Sequence, residues 1–404
     1  MRRVAVTGLG VISALGQNTN DFWSALRAGR SGIARINGLD TARLRFHNGA
    51  EVADYDPSRH FAGEQADLLD RFAQFAVIAA REALADAGVV FTPELRERTA
   101  IVTGACVGGQ SSEDAGFVEL YQRNRERVHP LTIPRSMANA NASHISMEFG
   151  ITGPAYTVST ACSSANHAIG QAFHMVRNGQ AELAITGGSE APFSLGILKA
   201  WEALRVISQD TCRPFSKNRS GMVLGEGGAM LVLEPWEAAQ ARGARVYAEI
   251  AGFGMSSDAG HITKPSVAGP VQAMRQALRD GGIAPEQIGY INAHGTGTSA
   301  NDVTETGAIR EVFQKHADRL AVSSTKSMHG HALGAAGALE AIATVLALLH
   351  GLLPPTANYT EPDPECNLDV LPNSARAVQV QGALSNSFAF GGLNAVLAFR
   401  ATQT

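Results

Sequence analysis

The sequence predicts an α/β fold in which a central sheet is covered by helices on both faces. Three observations lead there. Apolar runs of strand length recur along the chain, as in Ala100-Ile101-Val102-Thr103-Gly104 and Leu183-Ala184-Ile185-Thr186. Longer segments with apolar residues at helical spacing lie between them. The alternation also runs through both halves of the chain in a similar order, which suggests an internal structural duplication.

The first strand is Val4-Ala5-Val6-Thr7-Gly8-Leu9-Gly10, read as running into a glycine turn, and Asn20 or Asp21 could cap a helix from Phe22 to Ala28. Position 13 is Ser13, so the third glycine of a dinucleotide fingerprint is missing, and a nucleotide site is disfavoured. From Leu68 to Ala87, apolar residues at Leu69, Phe72, Phe75, Ala76, Ala79, Ala80, Ala83 and Leu84 predict an amphipathic helix ended by Gly88. Then follow the strand at 100–104, the glycine stretch Val107-Gly108-Gly109, a helix from Ser136 to Phe149, and a short buried strand over Ala155 to Ser159.

A helix over 166–176 and a strand over 182–188 come next, then the strand Ala229 to Leu233 after Gly225-Glu226-Gly227-Gly228. The charged, alanine-rich connector Glu237 to Gly243 marks the boundary between an N-terminal half, 1–240, and a C-terminal half, 241–404. The second half reads as strand 246–252, helix 271–278, strand 288–293, helix 303–313, strand 320–323, helix 335–349, and a closing pair of strands near 383–388 and 395–399.

A chain of 404 residues with 45% hydrophobic composition can bury a large core. Its formal net charge of −4 lacks the basic surplus that phosphate binding requires, so nucleic acid is not an expected partner. Four cysteines, Cys106, Cys162, Cys212 and Cys366, stand far apart without a CxxC or other metal-ligand spacing. They predict neither a disulfide framework nor a metal site, and a reducing cytoplasm is the expected compartment. The apolar stretch Ala341 to Leu349 lies between Glu340 and His350 and is too short to span a bilayer, so no membrane insertion is expected.

Thr160-Ala161-Cys162-Ser163-Ser164 lies where a predicted strand turns into a helix. Unpaired N–H groups and the positive helix end there favour a thiolate, which makes Cys162 a candidate nucleophile rather than a small core residue. Three further polar or glycine-rich islands follow predicted strands, where ligands of α/β sheets bind. They are Asn292-Ala293-His294-Gly295-Thr296-Gly297-Thr298, Ser323 to His331 with Lys326, and Asn386-Ser387-Phe388-Ala389-Phe390-Gly391-Gly392. A Cys/His pair alone would suit a thiol hydrolase; two histidines and a lysine instead suit chemistry that stabilises an oxyanion at a carbonyl.

These four islands, in this order, resemble the motifs of the β-ketoacyl-acyl carrier protein synthases of the elongating, FabF/KAS II-like group, and the resemblance covers nearly the whole chain. It implies a thiolase-like fold, a duplicated five-layer α/β/α/β/α sandwich. It also implies that Cys162 accepts an acyl group from an acyl carrier protein, with the backbone N–H groups of Cys162 and Phe390 as oxyanion hole. His294 and His331 would stabilise the enolate formed when malonyl loses carbon dioxide, with Lys326 in a supporting electrostatic role.

By the same likeness Thr296 and Thr298 hold the phosphopantetheine arm, Phe390 is the gating aromatic beside Phe388, and Asp258, His261 and Thr263 belong to the loop that moves with it. Glu340 is either an organiser of this site or a solvated helix residue, Val107 either lines the acyl pocket or packs in the core, and Arg205 is a candidate for docking the acidic carrier protein. The reaction as implied needs no cofactor and no metal, and the expected assembly is a homodimer, with a heterodimer of related subunits as the alternative.

Three places depart from the family pattern: Ala389 stands for the usual glycine, Leu393 for the usual threonine, and Ala165-Asn166-His167 follows the nucleophile motif where small residues are common. They leave every catalytic group in place and point to a specialised lipid pathway, such as polyene or nodulation-factor synthesis. Two rival readings are a thiolase-like acyltransferase without decarboxylation and a non-catalytic chain-length subunit. The first lacks a second catalytic cysteine, since Cys366 sits in a proline-rich stretch; the second typically lacks the nucleophile, which is present here.

Overall fold

A computed structural model describes residues 1–402. The strands of the main sheet are β1 (Val4–Ser13), β2 (Thr99–Gly104), β3 (Ala155–Val158), β4 (Leu183–Glu190) and β5 (Gly227–Pro235) from the first half of the chain. From the second come β6 (Ala248–Ser257), β7 (Ile288–Asn292), β8 (Ala321–Ser323), β9 (Gly382–Ala389) and β10 (Leu393–Ala401). Their spatial order is β8-β7-β9-β10-β6-β1-β5-β4-β2-β3.

The duplication expected from the sequence is visible in this order. Counting outward from the β1–β6 junction, the two halves have the same strand order, β1-β5-β4-β2-β3 and β6-β10-β9-β7-β8. Each begins with two antiparallel pairings and ends with two parallel ones. The halves join where β1 pairs antiparallel with β6, Ala5 opposite Glu249.

Eight helices complete the layers: α1 (Thr19–Arg27), α2 (Arg71–Ala87), α3 (Ala140–Phe149), α4 (Ser164–Arg177), α5 (Leu195–Ala203), α6 (Ala268–Gly281), α7 (Ser299–Phe313) and α8 (Ala336–His350). The period of two in each strand decides which layer a residue joins. Val102, Leu231, Ala383 and Leu397 point to a central core shared with α4 and α8. Their neighbours Ile101 and Met230 face α2 and α3, while Leu384 and Val396 face α6 and α7. Helix, sheet half, paired helices, sheet half and helix are the five predicted layers. The window Leu333–His350 is long and apolar enough to cross a membrane by composition, yet 89% of it is buried between the sheet halves.

Several local readings change. Gly8 and Gly10 make no turn: β1 continues through them, with a bulge between Val6 and Gly8, and a Cβ at either would strike the α2 backbone at Ala83 or Ala79. The glycines serve close helix-on-strand packing. Asn18, not Asn20 or Asp21, caps α1 by accepting from the Asp21 amide. The helix predicted from Ser136 begins at Ala140. Strand β3, expected to be buried, lies at the sheet edge, and Tyr156 on it is exposed.

Candidate active site

Cys162 stands in the tight turn between β3 and α4, beside Ala161, which takes the left-handed φ of +50° that a non-glycine residue rarely adopts. The corresponding turn of the second half, between β8 and α8, carries Lys326 and His331. Duplication thus brings both turns to the start of the paired central helices. His294 follows β7, and Phe388 lies beside it near the end of β9, its ring edge-on to His294 at 6.1 Å.

One cavity of about 110 Å³ gathers these residues: Cys162, His294, His331, Phe388 and Phe390 all line it. Thr296, Thr298, Asp258 and His261 line its mouth, with Thr263. Val107 does not. It packs behind the wall in an apolar cluster with Leu198, Leu224 and Leu333, whose members Val206 and Met222 reach the cavity. Arg205 is exposed next to Val206 and so flanks the opening.

The two imidazoles meet edge to face, ring centres 5.5 Å apart. Each has its Nδ1 occupied by a group that only donates. The Leu333 amide donates to Nδ1 of His331 at 3.2 Å, and Nζ of Lys326 lies 3.3 Å from Nδ1 of His294. Both neutral rings therefore carry their proton on Nε2. Burial, reinforced by Lys326 and by the neighbouring histidine of each ring, holds both well below the usual imidazole range, so the neutral form persists at physiological pH.

Lys326 is fully buried, donates to the His294 carbonyl at 2.7 Å and pairs with Glu340. Glu340, equally buried, is no solvated helix residue. Burial pushes its carboxyl up to about 7 while Lys326 opposes that shift. The backbone of the histidine loops is held as firmly. The amides of His294 and Gly295 donate to the two oxygens of Glu305 at 2.9 and 2.8 Å, and the His331 amide donates to Val223 at 2.7 Å.

The expectation of a resting thiolate is corrected. Burial pushes the Cys162 thiol up to about 12, with the Lys326 charge opposing only in part and Glu190 adding to the rise. Taking a charge out of water outweighs the helix start. Cys106, Cys212 and Cys366 are raised by burial too, so Cys162 stands apart through its place in the cavity and not through acidity.

Two loops close the mouth together. The Asp258 amide donates to the Gly392 carbonyl at 2.9 Å, Asn394 donates to the Asp258 carboxylate at 2.8 Å, and the Gly391 amide reaches Ile262 at 2.8 Å. Phe390 stacks on Trp201 of α5, ring centres 6.1 Å apart. The departure at Ala389 is accommodated because it lies in β9 opposite Leu393, while the left-handed positions of the turn, Gly391 and Gly392, remain glycine. Thr296 and Thr298 bond each other at 2.9 Å, and Thr298 caps α7. Sequence reasoning missed Glu190, Asp302, Glu305, Asn394 and the Trp201 contact. The only available signal was at Asp302 and Glu305, acids on the same stripe of α7 as the buried Ile309 and Val312.

Comparisons with known proteins agree with this geometry. The β-ketoacyl synthase N-terminal domain model matches residues 1–239 and the C-terminal domain model residues 247–360. The chain is 49% identical over 403 residues to nodulation protein E of Rhizobium sp. (strain N33), covering 99% of each. It is 42% identical to 3-oxoacyl-[acyl-carrier-protein] synthase 2 of Synechocystis sp., covering 100% of this chain and 99% of the relative. Among solved structures, the ishigamide ketosynthase/chain length factor superposes with a TM-score of 0.94 at 40% identity over 100% of both chains. A ketosynthase in complex with its type II polyketide acyl-carrier protein gives a TM-score of 0.89 at 30% identity, covering 99% of this chain and 100% of that one. With both domain models matched in order and relatives aligned end to end, the chain belongs to the β-ketoacyl synthase family of acyl-transferring condensing enzymes.

Proposed function

We propose that Cys162 carries the acyl group and that His294 and His331 serve the malonyl half of the reaction. The observation that carries this reading is the shared tautomer of the two imidazoles, each with Nδ1 occupied and an Nε2–H left free to donate in the cavity that Cys162 lines. The Cys162 sulfur attacks the acyl thioester of the carrier protein; the new C–S bond replaces the old one, and the departing phosphopantetheine thiol takes the proton. In malonyl thioester the bond to the carboxylate breaks, carbon dioxide leaves, and the electron pair passes to the thioester oxygen. Two neutral N–H donors aimed at that oxygen stabilise the enolate without a metal or cofactor. The enolate carbon then attacks the acyl carbonyl, whose oxyanion is held by the Cys162 and Phe390 amides, and the cysteine sulfur leaves as a thiolate that takes a proton from water to restore the thiol.

Lys326 and Glu340 keep this pair of rings oriented, Thr296 and Thr298 receive the pantetheine arm, and Asp258, His261 and Phe388 support the Phe390 gate. Arg205 beside the opening suits an acidic carrier protein. The closer identity to nodulation protein E than to synthase 2 supports a specialised lipid product. Strand β3 is an unpaired sheet edge that carries exposed Tyr156, with exposed Met147 on the helix α3 packed against it, which supports pairing with a second copy of the chain; a related chain-length subunit is the competing partner. Four cysteines without a disulfide support a cytoplasmic location.

Incubation with acyl- and malonyl-loaded carrier proteins, followed by intact mass and carbon dioxide release, tests the reading. An acyl adduct on Cys162 that converts to ketoacyl product supports it; no adduct, or condensation by Cys162→Ala, overturns it.

A further inference from the structure

The structure contains a buried carboxylate that the reaction above does not use. Glu190, the last residue of β4, is fully buried. Buried Glu226, Glu234 and Glu340 each face an arginine or lysine, but among the described residues no such cation pairs with Glu190. Burying an unpaired charge is costly unless other donors replace water. Here they come from one turn of backbone. The amides of Cys106, Val107 and Gly108 donate to Glu190 at 2.8, 3.1 and 3.4 Å, and the Cys106 thiol lies 3.6 Å from its second oxygen.

That turn lies between two parts of the site. On one side, Cys106 and Val107 pack into the apolar cluster whose members Val206 and Met222 line the Cys162 cavity. On the other, a Cβ at Gly334 would stand 2.6 Å from the Cys106 nitrogen, so the turn presses on the loop that orients His331. Gly334 follows Leu333, the residue whose amide holds Nδ1 of His331.

We propose that Glu190 is a positioning residue for acyl-chain selection: by gathering three successive amides it holds the 106–108 turn as the rear wall of the acyl site, against the His331 loop. The inference rests on Cys162 being the acyl carrier. A long acyl chain must pass into the apolar cluster behind the cavity and needs that wall in one place, whereas a short chain ends before reaching it. Glu190→Gln keeps the volume of the side chain and can keep an oxygen where the three amides converge, but it sets an NH2 in place of the second oxygen, 3.1 Å from the Val107 amide, which loosens the wall. Gly334→Ala displaces the same turn from the opposite side.

The test measures acylation of Cys162 by intact mass with carrier proteins loaded with a series of saturated acyl groups, short to long, in wild type, Glu190→Gln and Gly334→Ala. Each variant is expected to change the ratio of long- to short-chain acylation by about tenfold or more, the scale on which apolar pockets discriminate. An unchanged ratio in soluble, folded Glu190→Gln overturns the proposal, as does a uniform loss at all chain lengths. Should Glu190→Gln not fold, the ratio in Gly334→Ala decides on the same terms. Failure of wild type to form any Cys162 adduct would instead defeat the acyl-carrier reading itself.

Discussion

Nζ of Lys326 lies 3.3 Å from Nδ1 of His294 and 2.7 Å from the carbonyl oxygen of the same residue. One fully buried ammonium therefore fixes both the ring tautomer and the backbone of a histidine that lines the Cys162 cavity, while Glu340 neutralises its charge. The pair is a positioning device with a large stability consequence, because removal of either partner strands the other in the core.

Lys326→Ala should accordingly lower carbon dioxide release from malonyl-carrier protein by at least the factor of about 10² expected when one donor of such a site is lost. It should also cost about 3–5 kcal/mol in urea unfolding, since Glu340 is left unpaired. Undiminished decarboxylation would remove Lys326 from the mechanism.

His331→Ala deletes one of the two Nε2–H donors. Decarboxylation should fall about 10²- to 10³-fold, with Cys162 acylation by acyl-carrier protein changed far less. The intact enzyme adds a pH criterion. Because both imidazoles titrate well below the usual imidazole range, they stay neutral from weakly acid to weakly alkaline pH, and they should add no inflection to decarboxylation near the ordinary histidine value. A rate that falls on passing below about pH 6.5 in both the wild type and Glu340→Gln, which removes the carboxyl pushed up to about 7, would mean that one ring is an ordinary histidine.

Cys162, pushed up to about 12 by burial, should be alkylated by iodoacetamide in proportion to a small thiolate fraction. Its rate should climb about tenfold per unit from about pH 7 to about pH 9 without levelling. Mass spectrometry of the intact chain reads this directly, and a plateau below about pH 8 would restore the activated thiolate that the helix start alone predicts.

Gly10→Ala tests the packing of β1 on α2. The new Cβ would stand 2.7 Å from the Ala83 nitrogen and closer still to the Ala79 carbonyl. A loss of about 1–3 kcal/mol in chemical unfolding is expected, as for overpacking elsewhere. A neutral substitution would show that the helix shifts freely.

Most of this architecture was legible because its signals are local. Alternation of apolar residues placed the strands, helical spacing placed α2, α4 and α8, and the four motifs carry Cys162, His294, Lys326, His331 and Phe390. Legibility failed where one residue type serves two purposes. Glycines 8 and 10 read as a turn because glycine permits one, but they are glycine because a helix backbone passes against them. The β3 strand reads as buried because its residues favour strands, yet its place at the sheet edge depends on strand order, which no short window contains.

By itself the sequence determined the fold class, suggested the duplication and singled out the candidate reacting groups, because periodicity and residue chemistry are properties of short stretches. Tertiary structure alone decided protonation and support. That the histidines are neutral, that Cys162 rests as a thiol, and that Glu190 and Glu305 hold loops by backbone amides follow from burial and through-space contact. A backbone N–H carries no side-chain signature, so a carboxylate whose partners are amides leaves no pairing to read until the chain has folded around it.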